Sequence, residues 1–91
     1  MKLKHREHIA VKVKLKFFGQ LRDLAKIDEE NFEIKEDARI SELLNSLGKH
    51  IPAIREHLKV TTCAINNEYV SKDAVLQEGS EVALLPPISG G

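Results

Sequence analysis

The residues whose types and spacing could do chemistry lie at the end of the sequence, where residues 86–91 read PPISGG after a strand-like run. Pro86 and Pro87 cannot donate hydrogen bonds to a sheet, and their φ angles are fixed at about −65°. The pair is therefore expected to end the strand and to direct the chain away from the body. Because six residues can extend roughly 20 Å, this tail could carry a terminal carboxylate deep into another protein.

Gly90 and Gly91 determine what such a tail can do. A backbone without Cβ atoms passes where side chains would clash, and the two glycines follow Ile88 and Ser89 rather than a charged, solubilising run. A frayed terminus is the common alternative for any chain end. Since the strand and the two prolines come directly before the glycines, the pattern favours a functional tail. Its reactive group is predicted to be the Gly91 carboxylate, presented through a narrow channel in a partner.

Other residues able to do chemistry carry weaker signals. Cys63 lies in a β-branched run and is interpreted as a small core residue rather than a nucleophile. No histidine is evidently placed to activate it, although the sequence does not position His50 and His57 in space. His5 and His8 have a spacing that could hold a metal on one helical turn, but no cysteine or second histidine pair supports this. No metal site is predicted.

Composition limits the class of protein. The chain has 91 residues, 42% hydrophobic and 31% charged, which suits one globular domain with a single modest core. Fourteen basic and fourteen acidic residues cancel, which argues against general nucleic-acid binding. One cysteine excludes an internal disulfide framework and fits a reducing cytoplasm. The chain has neither an apolar run long enough to span a bilayer nor a secretory signal, so a cytoplasmic protein without membrane contact is expected.

The elements that must position the tail begin with a strict alternation of apolar and polar residues over residues 11–17, which predicts a half-buried strand. Its inward residues are Val11, Val13, Leu15 and Phe17, and its outward residues are Lys12, Lys14 and Lys16. We interpret the lysine row as a solvated face that opposes aggregation. Phe18 is expected to point the same way as the lysines, and an aromatic side chain there is informative.

The middle of the chain predicts further elements. Residues 20–26 read as a short irregular or helical connection anchored by Leu21 and Leu24, and residues 31–34 as a second strand antiparallel to the first. An amphipathic helix follows from the spacing of Ile40, Leu43, Leu44 and Leu47. Either Asp37 or Ser41 could cap its start, and Gly48 stands where a glycine after the helix end is expected. Pro52 suits the first turn of a second short helix whose buried side comprises Ile51, Ile54 and Leu58.

The last third of the chain reads as strands and turns. Residues 61–65 predict a strand, Asn66 and Asn67 a turn, and residues 69–70 the returning strand. A loop over residues 73–79 is expected to bury Val75 and Leu76. Residues 81–85 predict the final strand. Its inward residues are Val82 and Leu84, and its outward residues are Ala83 and Leu85.

This order of elements predicts an α+β roll, with a mixed sheet and one main helix packed on one face. If the first and last strands are parallel neighbours, the helix is the crossover that parallel pairing requires. That is the β-grasp arrangement of ubiquitin-like proteins. We divide the chain into residues 1–10, a mobile extension, residues 11–85, the β-grasp domain, and residues 86–91, the extended tail. The predicted partner-binding site is an exposed apolar patch on the face opposite the helix, formed by Phe18, Tyr69 and Leu85.

Over residues 11–91 the sequence resembles a known family, the small subunit of molybdopterin synthase (MoaD), a sulfur carrier of β-grasp fold. The ending EVALLPPISGG of residues 81–91 is similar to the family's Glu-Val-Ala-x-Leu-Pro-Pro-x-Ser-Gly-Gly. Residues 17–23 (FFGQLRD) resemble its Phe-Ala-x-Leu-Arg-Glu segment, and residues 64–70 (AINNEYV) resemble its Ala-Val-Asn turn. The chain departs from the family at Gly19, usually Ala, and at Ser80, commonly acidic. Neither departure touches the predicted chemistry.

The resemblance implies a mechanism centred on Gly91. An E1-like adenylating enzyme would use MgATP to convert its carboxylate to an acyl-adenylate, and a sulfur donor protein of persulfide type would displace AMP to give a thiocarboxylate. Inserted into the large synthase subunit, that sulfur would pass to a cyclic pyranopterin precursor, two carriers being used per dithiolene. The chain would bind no cofactor and would be the non-catalytic small subunit of a hetero-oligomer. Phe18, Tyr69 and Leu85 would contact the large subunit.

Three alternatives stay open. The chain could be a sulfur carrier for thiazole synthesis or tRNA thiolation, although the tail favours the molybdopterin branch. It could be a ubiquitin-like protein modifier joined through Gly91 to target lysines. The third alternative is an interaction domain with an inert tail.

Overall fold

The structure, a computed structural model, describes residues 9–87, so residues 1–8 and 88–91 lie outside the described part of the chain. Its elements in chain order are β1 (Ala10–Phe17), α1 (Gly19–Ala25), β2 (Glu29–Lys35), α2 (Ile40–His50), α3 (Arg55–Leu58), β3 (Thr62–Ile65), β4 (Glu68–Val70) and β5 (Glu81–Leu85). A 3-10 turn, Pro52–Ile54, joins α2 to α3, as the proline predicted. Within residues 9–87, no helix combines the length and the hydropathy that crossing a bilayer requires.

The strands form one sheet of five in the order β2-β1-β5-β3-β4. β1 and β5 are parallel, with Phe17 opposite Leu84, and every other neighbouring pair is antiparallel. Parallel neighbours need a long crossover, and the chain between β1 and β5 contains α2, the longest helix. The predicted α+β class and the β-grasp arrangement are confirmed.

The core lies between one face of the sheet and α2. All four inward residues predicted for β1 are buried, and so is the α2 stripe of Ile40, Leu43, Leu44 and Leu47. β5 adds Val82 and Leu84, both fully buried. Full burial of a side chain of this size contributes about 1.5–3 kcal/mol, so two matched apolar stripes are enough to fix which sheet face α2 covers.

The start of α2 differs from the prediction, because neither Asp37 nor Ser41 is its cap. Arg39 is the N-cap residue, and its backbone N–H donates to a carboxylate oxygen of Glu42 at 2.9 Å. Asp37 lies in the preceding turn with a φ of 67°, a conformation that Asp tolerates. The bond from Arg39, followed by the one from the Lys35 side chain, holds the pKa of the Glu42 carboxyl below its ordinary value. An acidic side chain three residues into the helix thus replaces the predicted cap.

Gly48 was predicted to follow the end of α2, and this was wrong. The helix continues to His50, and Gly48 is buried inside it. A Cβ at this position would lie 3.1 Å from Cγ of Arg55 and 3.6 Å from Cδ1 of Leu58. Gly48 therefore allows the close approach of α3 to α2. A glycine placed for this packing looks, in the sequence, like a glycine that ends a helix.

Two apolar side chains predicted to be buried are exposed instead. Leu24 is 36% exposed and Val75 is 42% exposed, whereas their predicted companions Leu21 and Leu76 are buried. The short helix α1 packs mainly against the Pro52–Ile54 turn and β5, and Leu21 is its buried residue. Val75 pairs with Arg39 in an isolated bridge, and successive residues in extended backbone point to opposite sides.

The ends of two predicted elements are set by backbone pairing. β1 begins at Ala10, paired with Lys35, so the last residue assigned to the N-terminal extension belongs to the sheet. Asn66 and Asn67 form the predicted turn with φ values of 49° and 72°, as a two-residue hairpin turn requires. The side-chain oxygen of Asn66 accepts from the Glu81 N–H at 3.0 Å, which ties this turn to the start of β5.

Cys63 is a core residue, as predicted, and is 3% exposed. Burial raises the pKa of its thiol from the ordinary 9.0 to about 11. A thiol kept neutral by its surroundings is a poor nucleophile near neutral pH.

The Cys63 thiol should make the stability of the fold fall at alkaline pH. The unfolded chain loses the thiol proton near pH 9.0 and the folded chain near pH 11, so the free energy of unfolding should decrease across that interval. A shift of this size corresponds to about 2–3 kcal/mol. Urea unfolding of the wild type and of Cys63→Ala, at several pH values from about 8 to 11, measures the difference. Parallel pH curves for the two proteins would contradict the assignment.

Candidate functional site

The described part of the tail is its root, Pro86 and Pro87, which follow β5 directly and are exposed. β5 is the central strand of the five-stranded sheet, so the tail begins where the central strand ends. The other predicted tail residues lie outside the described residues, and their roles stay predictions; they are Ile88, Ser89, Gly90 and Gly91.

Gly19 supports the root of the tail. Its φ is 56°, and a Cβ built on it would lie 3.2 Å from Cγ of Pro86. Only a residue without a side chain combines this backbone angle with this proximity at low cost. Gly19 is one of the two positions at which the chain departs from the family pattern. It lies directly beside Pro86, the first residue of the tail.

A small groove of about 120 Å³ opens beside the root, between the prolines and the end of α3. The sequence had indicated Phe18 for this region, but it gave no reason to expect His57, Val60 and Thr61, which also line the groove. Val60 is 58% exposed, and Nδ1 of His57 is buried without a hydrogen-bond partner among residues 9–87. These residues were missed because they reach the tail only through tertiary packing of α3.

The predicted apolar patch falls on the sheet face opposite α2, which we call the outer face. Phe18 has extended backbone and follows Phe17, the partner of Leu84, and it lines the groove at the tail root with Pro86 and Pro87. Tyr69 lies two strands away from Leu85 on the same face and is 67% exposed. The structure thus places Phe18 and Leu85 at the ends of two paired strands, with Tyr69 separated from Leu85 by β3.

Two alanines, Ala64 and Ala83, lie side by side on β3 and β5 next to Tyr69. Ala64 pairs with Tyr69 on one side and with Ala83 on the other, and Ala83 pairs with Lys16. Ala64 is only 6% exposed although it does not belong to the core cluster. The centre of the outer face therefore carries two small apolar side chains, Ala64 and Ala83, between Tyr69 and Lys16.

Two lysines of the outer face are paired with glutamates. Lys16 lies 3.1 Å from Glu81, and Lys14 lies 3.8 Å from Glu29. Exposed pairs of this kind contribute little stability. They do place balanced charge beside the apolar patch, an arrangement typical of interfaces with an apolar centre and a polar rim.

Residues 9–87 hold no group of three His, Cys, Asp or Glu side chains that could bind a metal ion. The predicted metal alternative concerned His5 and His8, which lie outside the described residues. His50 lies 3.8 Å from Glu30 and packs edge-on against Phe32.

Comparison with known proteins gives consistent relatives. A ThiS family profile matches residues 15–91. The molybdopterin synthase sulfur carrier subunit of Chlamydomonas reinhardtii is 36% identical over 84 residues, covering 89% of this chain and 100% of that protein.

Two solved structures of molybdopterin converting factor subunits have a similar fold. Subunit 1 of the molybdopterin converting factor of Pyrococcus furiosus is 35% identical with a TM-score of 0.77, covering 86% of this chain and 99% of that one. A chain in the complex of subunits 1 and 2 of the molybdopterin-converting factor of Helicobacter pylori is 30% identical with a TM-score of 0.59, covering 89% and 100%. The chain described here therefore belongs to the ThiS family, and its similarity to molybdopterin synthase sulfur carrier subunits extends over most of its length.

Proposed function

We propose that this protein is the sulfur carrier subunit of a molybdopterin synthase. The observation that carries the proposal is the ending PPISGG on the central strand of a β-grasp sheet, within a chain 36% identical to a molybdopterin synthase sulfur carrier subunit. The tail supplies the proposed working group.

The proposed working group is the Gly91 carboxyl. A carboxylate is a poor electrophile, because its charge is delocalised and its leaving group would be oxide. Adenylation by an E1-like enzyme that consumes ATP replaces that leaving group with AMP. The outer sulfur of a donor persulfide then attacks the acyl carbon and displaces AMP, which gives an acyl disulfide. A second thiol of the sulfur donor cleaves the S–S bond, so that the donor ends as a disulfide and Gly91 as a thiocarboxylate with a nucleophilic sulfur. The chain itself binds no cofactor in this scheme.

The proposed partner is the large subunit of the synthase. A similar chain from Helicobacter pylori has been solved in complex with subunit 2 of the molybdopterin-converting factor. We assign the docking surface to Phe18, Tyr69 and Leu85, with Ala64 forming its floor. Since Phe18 also lines the groove at the tail root, docking of this face would bring the tail to the partner's active site.

The chain is proposed to act in a reducing cytoplasm as a non-catalytic cosubunit. Cys63, the one cysteine, is buried with a raised pKa and takes no part in the sulfur transfer.

The first test is transfer of sulfur to the tail. After incubation with the activating enzyme, ATP and a persulfide donor, the intact mass should increase by the exchange of one oxygen for sulfur. Synthesis of molybdopterin from its precursor by the large subunit should then depend on the loaded protein. A lysine-linked adduct would instead identify a protein modifier, and loading followed by activity only in thiazole or tRNA thiolation would identify another carrier.

Gly91→Ala should impair adenylation by at least about tenfold, because a methyl group at the reacting residue would misplace the carboxylate in a narrow channel. The thermal midpoint of unfolding should not change, since the site lies beyond the folded core. Pyrophosphate release measures adenylation, with Gln77→Ala, an exposed loop variant, as the control. Normal adenylation of Gly91→Ala would contradict the proposed channel.

Phe18→Lys should weaken binding to the large subunit by about tenfold or more while the fold is kept, because an apolar interface contact would be replaced by a charge. Val75→Lys is the matched control: it is similarly exposed, at 42% against 39%, and it lies by Arg39 at the opposite end of the sheet. Calorimetric titration of each variant with the large subunit measures the effect. Equal losses for both variants, or a collapse of the melting temperature of Phe18→Lys, would contradict the assigned surface.

A further inference from the structure

A cleft of about 410 Å³ lies on the helical side of the molecule, between α2, α3 and the loop that follows β4. Its floor is apolar and comprises Leu44, Leu58 and the Gly48 backbone. Its rim is cationic and comprises Lys49, Arg55, Lys59 and Lys72. We call this the basic cleft. Nothing in the proposed sulfur chemistry uses it.

Most of the charge of the basic cleft is not balanced locally. The chain as a whole has equal numbers of acidic and basic residues, yet no carboxylate occurs among the described residues that line this cleft. Of its four cations, Lys59 forms an ion pair within residues 9–87, with Glu56 at 3.0 Å, and the other three do not. The lysine row of β1 differs, because Lys14 and Lys16 are each paired with a glutamate on a flat sheet face. An anion therefore gains more in the basic cleft than on the lysine row.

The cations lie at both ends of the cleft. The Ser41 N–H donates to the Lys72 carbonyl oxygen at 3.0 Å, which fixes Lys72 beside the start of α2. Lys49 lies eight residues further along the same helix, a rise of about 12 Å. Arg55 packs against Gly48 near that far end. A single small anion would contact one end only, so the spacing fits an extended anionic ligand with apolar surface between its charges.

From these features we infer that the basic cleft binds an acidic amphipathic helix of a partner protein. Carboxylates seven or eight residues apart on such a helix are separated by about 10–12 Å, which matches the helical rise from Ser41, bonded to Lys72, to Lys49. An apolar side chain between them would lie on Leu44 and Leu58, in the helix-in-groove mode of recognition. A uniformly charged polymer such as nucleic acid would leave this apolar floor without a matching contact.

The basic cleft and the tail can be used at the same time. α3 separates the two, since Arg55 and Lys59 line the cleft whereas His57 and Val60 line the groove at the tail root. A helix bound in the cleft would leave the outer face and the tail uncovered. The inference does not rest on the proposed sulfur chemistry, and its test uses no activity assay.

The test is a titration of the ¹⁵N-labelled full chain with a synthetic helical peptide of about four turns, which carries Glu on its polar face and Leu on its apolar face. A matched peptide has Gln in place of every Glu. We expect shift changes confined to α2, α3 and the neighbourhood of Lys72, and binding about tenfold weaker for the Gln peptide. An oligonucleotide of thymidines serves as the competing anion and should bind more weakly than the Glu peptide.

Variants identify the site. The triple variant Lys49→Gln, Arg55→Gln, Lys72→Gln should bind the Glu peptide at least about tenfold more weakly than the wild type. A control that neutralises Lys12, Lys14 and Lys16 should change the affinity for this peptide by less than about twofold. Because a variant could fail to fold, the ¹⁵N spectrum of each is recorded first, and Lys49→Glu with Lys72→Glu provides a second route by preferring a Lys peptide. Four results would each overturn the inference. They are a Kd for the Glu peptide weaker than about 1 mM, equal affinity for the Glu and Gln peptides, tighter binding of the oligonucleotide, and loss of peptide affinity when the β1 lysines are neutralised.

Discussion

The parallel pairing of β1 with β5 is the interaction on which the rest of this structure depends. It joins the first strand of the domain to the last, with Phe17 opposite Leu84. Closing such a long loop costs only slightly more than closing a moderate one, because the entropy grows with the logarithm of length. The pairing is maintained by side chains that α2 covers on the inner face. A slip of one residue would turn every one of these side chains to the solvent, so the register is strongly specified.

That register also positions the surfaces used for recognition. With Phe17 and Leu84 held inside, Leu85 turns to the outer face, and Phe18 and Pro86 follow the paired strands and line one groove at the tail root. The apolar patch and the root of the tail are consequences of core packing. Docking geometry is thereby linked to the most rigid part of the molecule rather than to its loops.

Two glycines show how close backbone approach shapes the surface. Gly19 leaves room for the Pro86 ring, and Gly48 leaves room for Arg55 and Leu58 of α3. The first sets where the tail begins, and the second forms the floor of the basic cleft. In both places a missing side chain brings together segments that are distant in sequence or joined by a tight turn. Recognition by this small domain is accordingly spread over two sides, with α3 as the boundary.

The sequence by itself determined the strand and helix periodicities, the β-grasp class and the tail ending in Gly90 and Gly91, because these follow from local alternation and backbone chemistry. It also placed Phe18 outward, since the alternation through Phe17 is strict. Only the tertiary structure decided that Arg39 caps α2, that Gly48 lies within a helix, and that Val60 reaches the tail root. The first depends on a side-chain bond within one helical turn, from Arg39 to Glu42, and the other two on packing between elements. A local alternation of apolar and polar residues does not show which side chain will occupy the space beside a given residue.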